Sequence, residues 1–251
     1  MIESPPAPYR RDHAPWGWRE IAAVIFITLV ALVAVFTALA FLLNAFGIES
    51  EPESDSLGAV ILLIGQAVLD LAAVGAAAAF SIGKYRLRPE AWSLTWPPRL
   101  RIGWILLVLV LCFTALGAYS AITQSLGLDA LEPESNVPTE LFDSAVVAPF
   151  AVFLILVVAP LCEELFFRGF LFHGLWGRIG FWPAALASGS LFALIHVSGR
   201  DLIGLVVPFA IIGTLLAWIV RRTGSLWNSI AVHFLFNLIG LSASLAQVIM
   251  R

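Results

Sequence analysis

The sequence predicts an all-α, polytopic bundle of about seven membrane-spanning helices, and three observations carry that reading. Of the 251 residues, 60% are hydrophobic and only 12% are charged. Mean hydropathy is +0.94, outside the range of ordinary soluble domains. The apolar residues gather in runs of about twenty or more, the length a helix needs to cross some 30 Å of hydrocarbon, and the short alternating segments of a transmembrane barrel are absent from the sequence.

Taken in order, residues 1–18 are polar and Pro-rich and end in Trp16 and Trp18. They read as a cytoplasmic tail with an interfacial aromatic anchor. Span 1 covers about 20–46; it is too long for the apolar core of a signal peptide, so it is read as a retained helix. An acidic loop, 49–56, leads to span 2 at 57–83, where Gln66 and Asp70 are four apart and share a face. The loop 84–101 is basic and rich in Pro and Trp. Span 3 covers 102–126, and the loop 127–144 holds five acids and no Lys or Arg. Span 4, about 145–176, contains Pro149 and Pro160. Pro160 removes a backbone donor one turn before Glu163 and predicts a kink there. Span 5 (182–197), span 6 (202–220) and span 7 (225–250) follow, joined by turns at 199–201 and 221–224. Three units result: the tail 1–18, the helices of 19–144, and a core of 145–251.

The charges orient the bundle. With the N-terminus in the cytoplasm, the cytoplasmic segments hold eleven Lys or Arg residues and the outer ones two, Arg200 and Arg251. The positive-inside rule therefore favours N-in and C-out, with an eighth interfacial helix as an option in the tail or in loop 84–101. A basic patch with interleaved aromatics is missing, so no nucleic-acid partner is expected. Cys112 and Cys162 both sit in apolar spans and predict neither a disulfide framework nor a thiolate metal site.

Ionisable groups at membrane depth are costly and point to function. Span 4 carries three: Glu163, Glu164 and Arg168. Residues four apart share a helix face, so Glu164 can pair with Arg168, while Glu163, about 100° away, keeps its carboxylate for another task. Glu163 lies fifteen residues before Arg178, and His196 lies fifteen after Phe181. At 1.5 Å per residue both stand about 22 Å from the turn between spans 4 and 5. On span 7, His233 and Asn237 are four apart, about 12 and 18 Å in from Ser225. Phe192 is four residues before His196. A carboxylate, two imidazoles and an amide can thus converge. A Glu–His pair can deprotonate water, and an amide with a His N–H can stabilise an oxyanion. Glu163, His196 and His233 could instead hold a divalent metal such as Zn²⁺, although the H-E-x-x-H motif is absent.

Glu163-Glu164-x-x-x-Arg168, Phe192-x-x-x-His196 and His233-x-x-x-Asn237, in this order on successive spans, resemble the CPBP family, the CAAX-protease and bacteriocin-processing membrane endopeptidases also called Abi or Rce1-like. The resemblance covers about 145–240, some two fifths of the chain. It implies a bundle that hydrolyses peptide bonds of a membrane-associated peptide or protein within the lipid bilayer. It also implies that Glu163 and His196 activate water and that His233 and Asn237 hold the oxyanion, with Glu164, Arg168 and Phe192 in support. No cofactor is required in the preferred, glutamate-dependent mechanism; a divalent metal is the alternative.

Plainer roles stand beside these. Glu164–Arg168 serves structure by orienting the site. His196, His233 and Asn237 could be interhelical hydrogen-bond partners. His173 reads as an interfacial or packing residue. Asp70 calls for a partner on another helix or a share in the water of the pocket. Two other function classes use the same buried polar cluster: a proton-coupled transporter and a catalytically silent scaffold. The excess of Arg (thirteen) over Lys (one) fits the plasma membrane of a bacterium with GC-rich DNA.

Overall fold

A computed structural model describes residues 14–47, 56–96, 98–133, 139–196 and 203–250. Most of the acidic loop 49–56, part of 127–144, the turn at 199–201 and most of the tail lie outside the described residues. Among the described residues seven helices carry the fold: α1 (Trp18–Phe46), α2 (Ser56–Ala78), α3 (Ile102–Ser125), α4 (Val147–Ile179), α5 (Phe181–Ile195), α6 (Val206–Thr223) and α7 (Leu226–Ile249). Six of them are long and apolar enough to cross a membrane. The expected fifth span, α5, has 15 residues. As a helix it reaches only about 22 Å, short of a 30 Å core.

The centre is built by α3 to α7. Helix α5 lies along α6, α3 packs on α6 and α7, and α4 contacts α7 and α2, while α1 leans mainly on α2. Apolar burial between helices supplies little drive inside lipid, so close backbone approach matters. It is greatest where α5 crosses α6. A Cβ on Gly189 would meet the Ala210 carbonyl at 2.6 Å, and one on Gly213 would meet the Gly189 Cα at 2.6 Å. That contact brings the Gly213 carbonyl to the Arg168 guanidinium, at 3.2 Å.

Pro160 does interrupt α4, but as widened turns. Residues Leu154–Val158 and Leu165–Phe172 adopt π-helical hydrogen bonding. A π turn holds more residues per turn, so α4 climbs less per residue than a regular helix. His233, counted about 10 Å shallower than Glu163 from regular rise, ends beside it because α7 starts deeper than the α4–α5 turn: the Leu226 N–H bonds the Ser93 carbonyl, and the Ser93 hydroxyl lies 3.0 Å from His173, five residues before Arg178.

The aromatic anchors are partly reassigned. Trp18 is exposed, as an interfacial anchor should be, but Trp16 is fully buried. Its indole donates to the Phe170 carbonyl at 2.9 Å, and its ring stacks on Phe170. An indole buries a large apolar body once its N–H is satisfied, and α4 offers both partners. The basic loop 84–101 is likewise tied into the fold. A short 3₁₀ helix, Pro89–Trp92, buries Trp92. Beyond it, Asn228 at the start of α7 takes the Arg101 N–H and donates to the Arg99 carbonyl. Lys84 reaches back to Glu20 at 2.6 Å, and this hydrogen bond raises the lysine above its ordinary pKa. Both cysteines are free and buried.

Candidate active site

Glu163 and Glu164 are adjacent on α4, and their carboxylates face different surroundings. Glu164 is fully buried and saturated. Its Oε1 accepts from Arg168 Nη1 at 2.7 Å and from His233 Nδ1 at 3.0 Å, and its Oε2 accepts from the Ser229 hydroxyl. Arg168 is also fully buried; besides Glu164 it reaches the Gly213 carbonyl and lies 4.5 Å over the Phe192 ring. A buried charge persists only when paired and hydrogen-bonded, and each member of this set meets that condition.

Glu163 presents Oε2 to both imidazoles, 3.6 Å from His196 Nε2 and 3.8 Å from His233 Nε2. That oxygen has no hydrogen-bond partner among the described residues. The opposite ring nitrogens fix the tautomers. His196 Nδ1 lies 2.7 Å from the Phe192 carbonyl, which can only accept, so Nδ1 carries the proton and a neutral His196 turns a lone pair to Glu163. His196 is the residue that ends α5, so the shortness of this helix is what sets the imidazole at the level of Glu163. His233 Nδ1 lies 3.0 Å from Glu164 Oε1, a carboxylate oxygen that can only accept, so Nδ1 carries a proton and donates it there. Separations of 3.6 and 3.8 Å are too long for direct hydrogen bonds and suit a bridging water.

These groups border a cavity of about 170 Å³ lined by Glu163, Phe192, His196, Phe209, His233 and Asn237, among others. The Phe192 ring sits 4.5 Å from His196 and 5.6 Å from His233, between centroids, and packs both rings in place. The four polar residues singled out from sequence therefore share one cavity, with Glu164, Arg168 and Phe192 around it.

Asn237 is engaged in a way its spacing did not reveal. In the π turn the Ala159 N–H bonds the Leu154 carbonyl, five residues back. The next donor in that register would be Pro160, which has no N–H. The orphaned Ile155 carbonyl instead accepts from Asn237 Nδ2 at 3.0 Å. One amide N–H of Asn237 thus braces α4 against α7, and the second is left for the cavity.

Sequence reasoning missed Ser229. It lies four residues before His233 and is the third partner of Glu164; the same i, i+4 rule that grouped His233 with Asn237 would have found it. His173 has the packing role expected, though away from any interface. It is fully buried, with Nδ1 against the Arg168 carbonyl and Nε2 3.0 Å from the Ser93 hydroxyl. Asp70 does not find the interhelical partner expected of it. Gln66 of the same helix donates to its Oδ1 at 2.8 Å, and Oδ2 has no partner among the described residues. Among the described residues, no three His, Cys, Asp or Glu side chains form a group suited to a metal ion.

The site falls inside a segment with known relatives. Residues 145–239 match the family model for type II CAAX prenyl endopeptidase Rce1-like proteins. The matched segment carries α4, α5, α6 and the first half of α7, and so all of the polar cluster. Over 104 residues the chain is 28% identical to "Putative membrane peptidase YdiL" of Bacillus subtilis (strain 168), covering 41% of each chain. Over 87 residues it is 31% identical to "UPF0177 protein YxdF" of Lactococcus lactis subsp. lactis (strain IL1403), covering 35% of this chain and 46% of that one. The chain thus spans less than half the length of these two curated relatives. No solved structure matches it with significance. Six helices long and apolar enough to cross a membrane make the chain a multi-pass membrane protein, and its residues 145–239 are similar to the Rce1-like family.

Proposed function

We propose that the protein is an intramembrane endopeptidase that cleaves a membrane-associated peptide or protein with an activated water molecule. The reading rests on one observation: the Glu163 carboxylate faces two imidazole Nε2 atoms, at 3.6 and 3.8 Å, beside a cavity in an Rce1-like segment. Water held by Glu163 and His196 loses a proton to this pair, and the hydroxide attacks the scissile carbonyl carbon. The oxyanion receives hydrogen bonds from a His233 N–H and the remaining amide N–H of Asn237. The C–N bond then breaks as the proton passes to the leaving amine, which restores the starting carboxylate and imidazole. Glu164 orients His233 through Nδ1, and Arg168 holds Glu164 in place. No Ser or Cys nucleophile enters this scheme.

A divalent metal held by Glu163, His196 and His233 is the alternative the sequence offers, but these side chains are not placed as a metal-binding group among the described residues, so no step is routed through a metal. The transporter and scaffold readings have no observation in their favour. The orientation proposed is N-in, with the α4–α5 turn in the cytoplasm. The test is endopeptidase activity in detergent against a pooled peptide library, comparing wild type with Glu163→Gln and His196→Ala, with and without chelator. Cleavage by wild type alone supports the reading, and chelator sensitivity would move it to the metal form. Cleavage that survives in both variants would sink it.

A further inference from the structure

A second cavity lies against Glu163. It encloses about 490 Å³, against 170 Å³ for the first. Helix α1 lines it with Thr28 and Leu29, α2 with Asp70 and Ala73, α4 with Glu163, and α5 with Leu194. Leu29 and Leu194 are more than half exposed, so the cavity reaches the surface between α1 and α5 that faces lipid. Apart from these groups, Gln66 and Cys162 its walls are leucine, isoleucine and phenylalanine, and two acids with no Lys or Arg line it.

Asp70 is the unusual wall. Its Oδ1 is held by Gln66, whereas Oδ2 is buried with no partner among the described residues, as is the Thr28 hydroxyl. A carboxylate oxygen left unpaired at membrane depth is costly. A carboxylate can only accept, so the group that relieves this cost must donate, and an ammonium or guanidinium also answers the charge. The surrounding leucines select an apolar chain to carry it. Because Glu163 borders both cavities, a chain in the second one leads directly to the proposed site of hydrolysis.

We propose that this cavity binds an apolar stretch of polypeptide bearing a basic side chain, with Asp70 holding its cationic group. The identity of the occupant as a polypeptide rests on the endopeptidase reading. Substrates would then carry a Lys or Arg within an apolar segment on one side of the cleaved bond. Asp70 is a specificity residue here and takes no part in activating water.

The experiment measures binding of fluorescent three-leucine peptide amides ending in lysine, norleucine or glutamate to the full chain in detergent. Wild type should bind the lysine probe about tenfold tighter than the other two. Asp70→Asn, which keeps an acceptor for Gln66, should bring all three within about twofold. Ala73→Leu, which fills the cavity and leaves Asp70 intact, should weaken the lysine probe about tenfold and provides a test should Asp70→Asn fail to fold. Equal binding of the three probes by wild type overturns the proposal, and so does a lysine preference that survives Asp70→Asn. Binding is read without cleavage. A wild type that prefers the lysine probe but cuts nothing overturns the endopeptidase reading alone, and one that cuts but shows no preference overturns this site alone.

Discussion

Two faces of α4, one residue apart, treat the same carboxylate chemistry in opposite ways. Toward α6 and α7, Glu164 is closed off by Arg168, His233 and Ser229. Toward the cavities, Glu163 keeps an oxygen that bonds nothing among the described residues and faces two imidazoles. The difference teaches that a buried acid serves the fold when its lone pairs are spent on neighbours, and is left for chemistry when they are not. Helical geometry imposes this division, because adjacent side chains point about 100° apart; His233 lies between them and presents Nδ1 to Glu164 and Nε2 to Glu163.

The comparison can be broken at either carboxylate. Glu163→Gln removes the proposed base without changing size, and cleavage should fall about 10³-fold or more, with melting temperature unchanged or raised. Initial rates and a detergent melt check it; a variant that loses both together would place Glu163 with Glu164 as a structural acid. Arg168→Met leaves Glu164 buried and uncompensated and should cost about 3–5 kcal/mol of stability. A thermal melt that does not move would mean Glu164 is not held as an anion. Gly213→Ala pushes a methyl into the α5–α6 crossing and should cost about 1–3 kcal/mol. Its activity should fall with it, because the Gly213 carbonyl is displaced from Arg168. The smallest effect expected is from Ser229→Ala, about 1 kcal/mol, since Glu164 keeps its bonds to Arg168 and His233. A large loss of activity in that variant at normal stability would show that Ser229 helps orient His233.

Much of the candidate site was legible before any coordinates, because its residues obey helix periodicity. Glu164 and Arg168, Phe192 and His196, and His233 and Asn237 are each four apart, and each pair lies on one face in the structure. The depth match of Glu163 and His196 was also readable from counting. The depth of His233 was not, since the contacts through Ser93 that start α7 level with His173, rather than with Arg178, join segments far apart in the chain. Trp16 was misread for another reason. Composition places tryptophans at interfaces on average, but a particular indole follows the carbonyl it can reach, here that of Phe170.

The sequence by itself determined the helices, their order and the three polar motifs, because hydropathy, proline positions and i, i+4 spacing are local properties. Only the tertiary structure decided which lone pair meets which donor. Ser229 completes Glu164 and Asn237 fills the Ile155 carbonyl orphaned by Pro160, while Asp70 finds no partner across the bundle among the described residues. Those pairings depend on how far α4 climbs and where α5 and α6 touch at Gly189 and Gly213. They are distances between segments far apart in the chain, which no periodicity records.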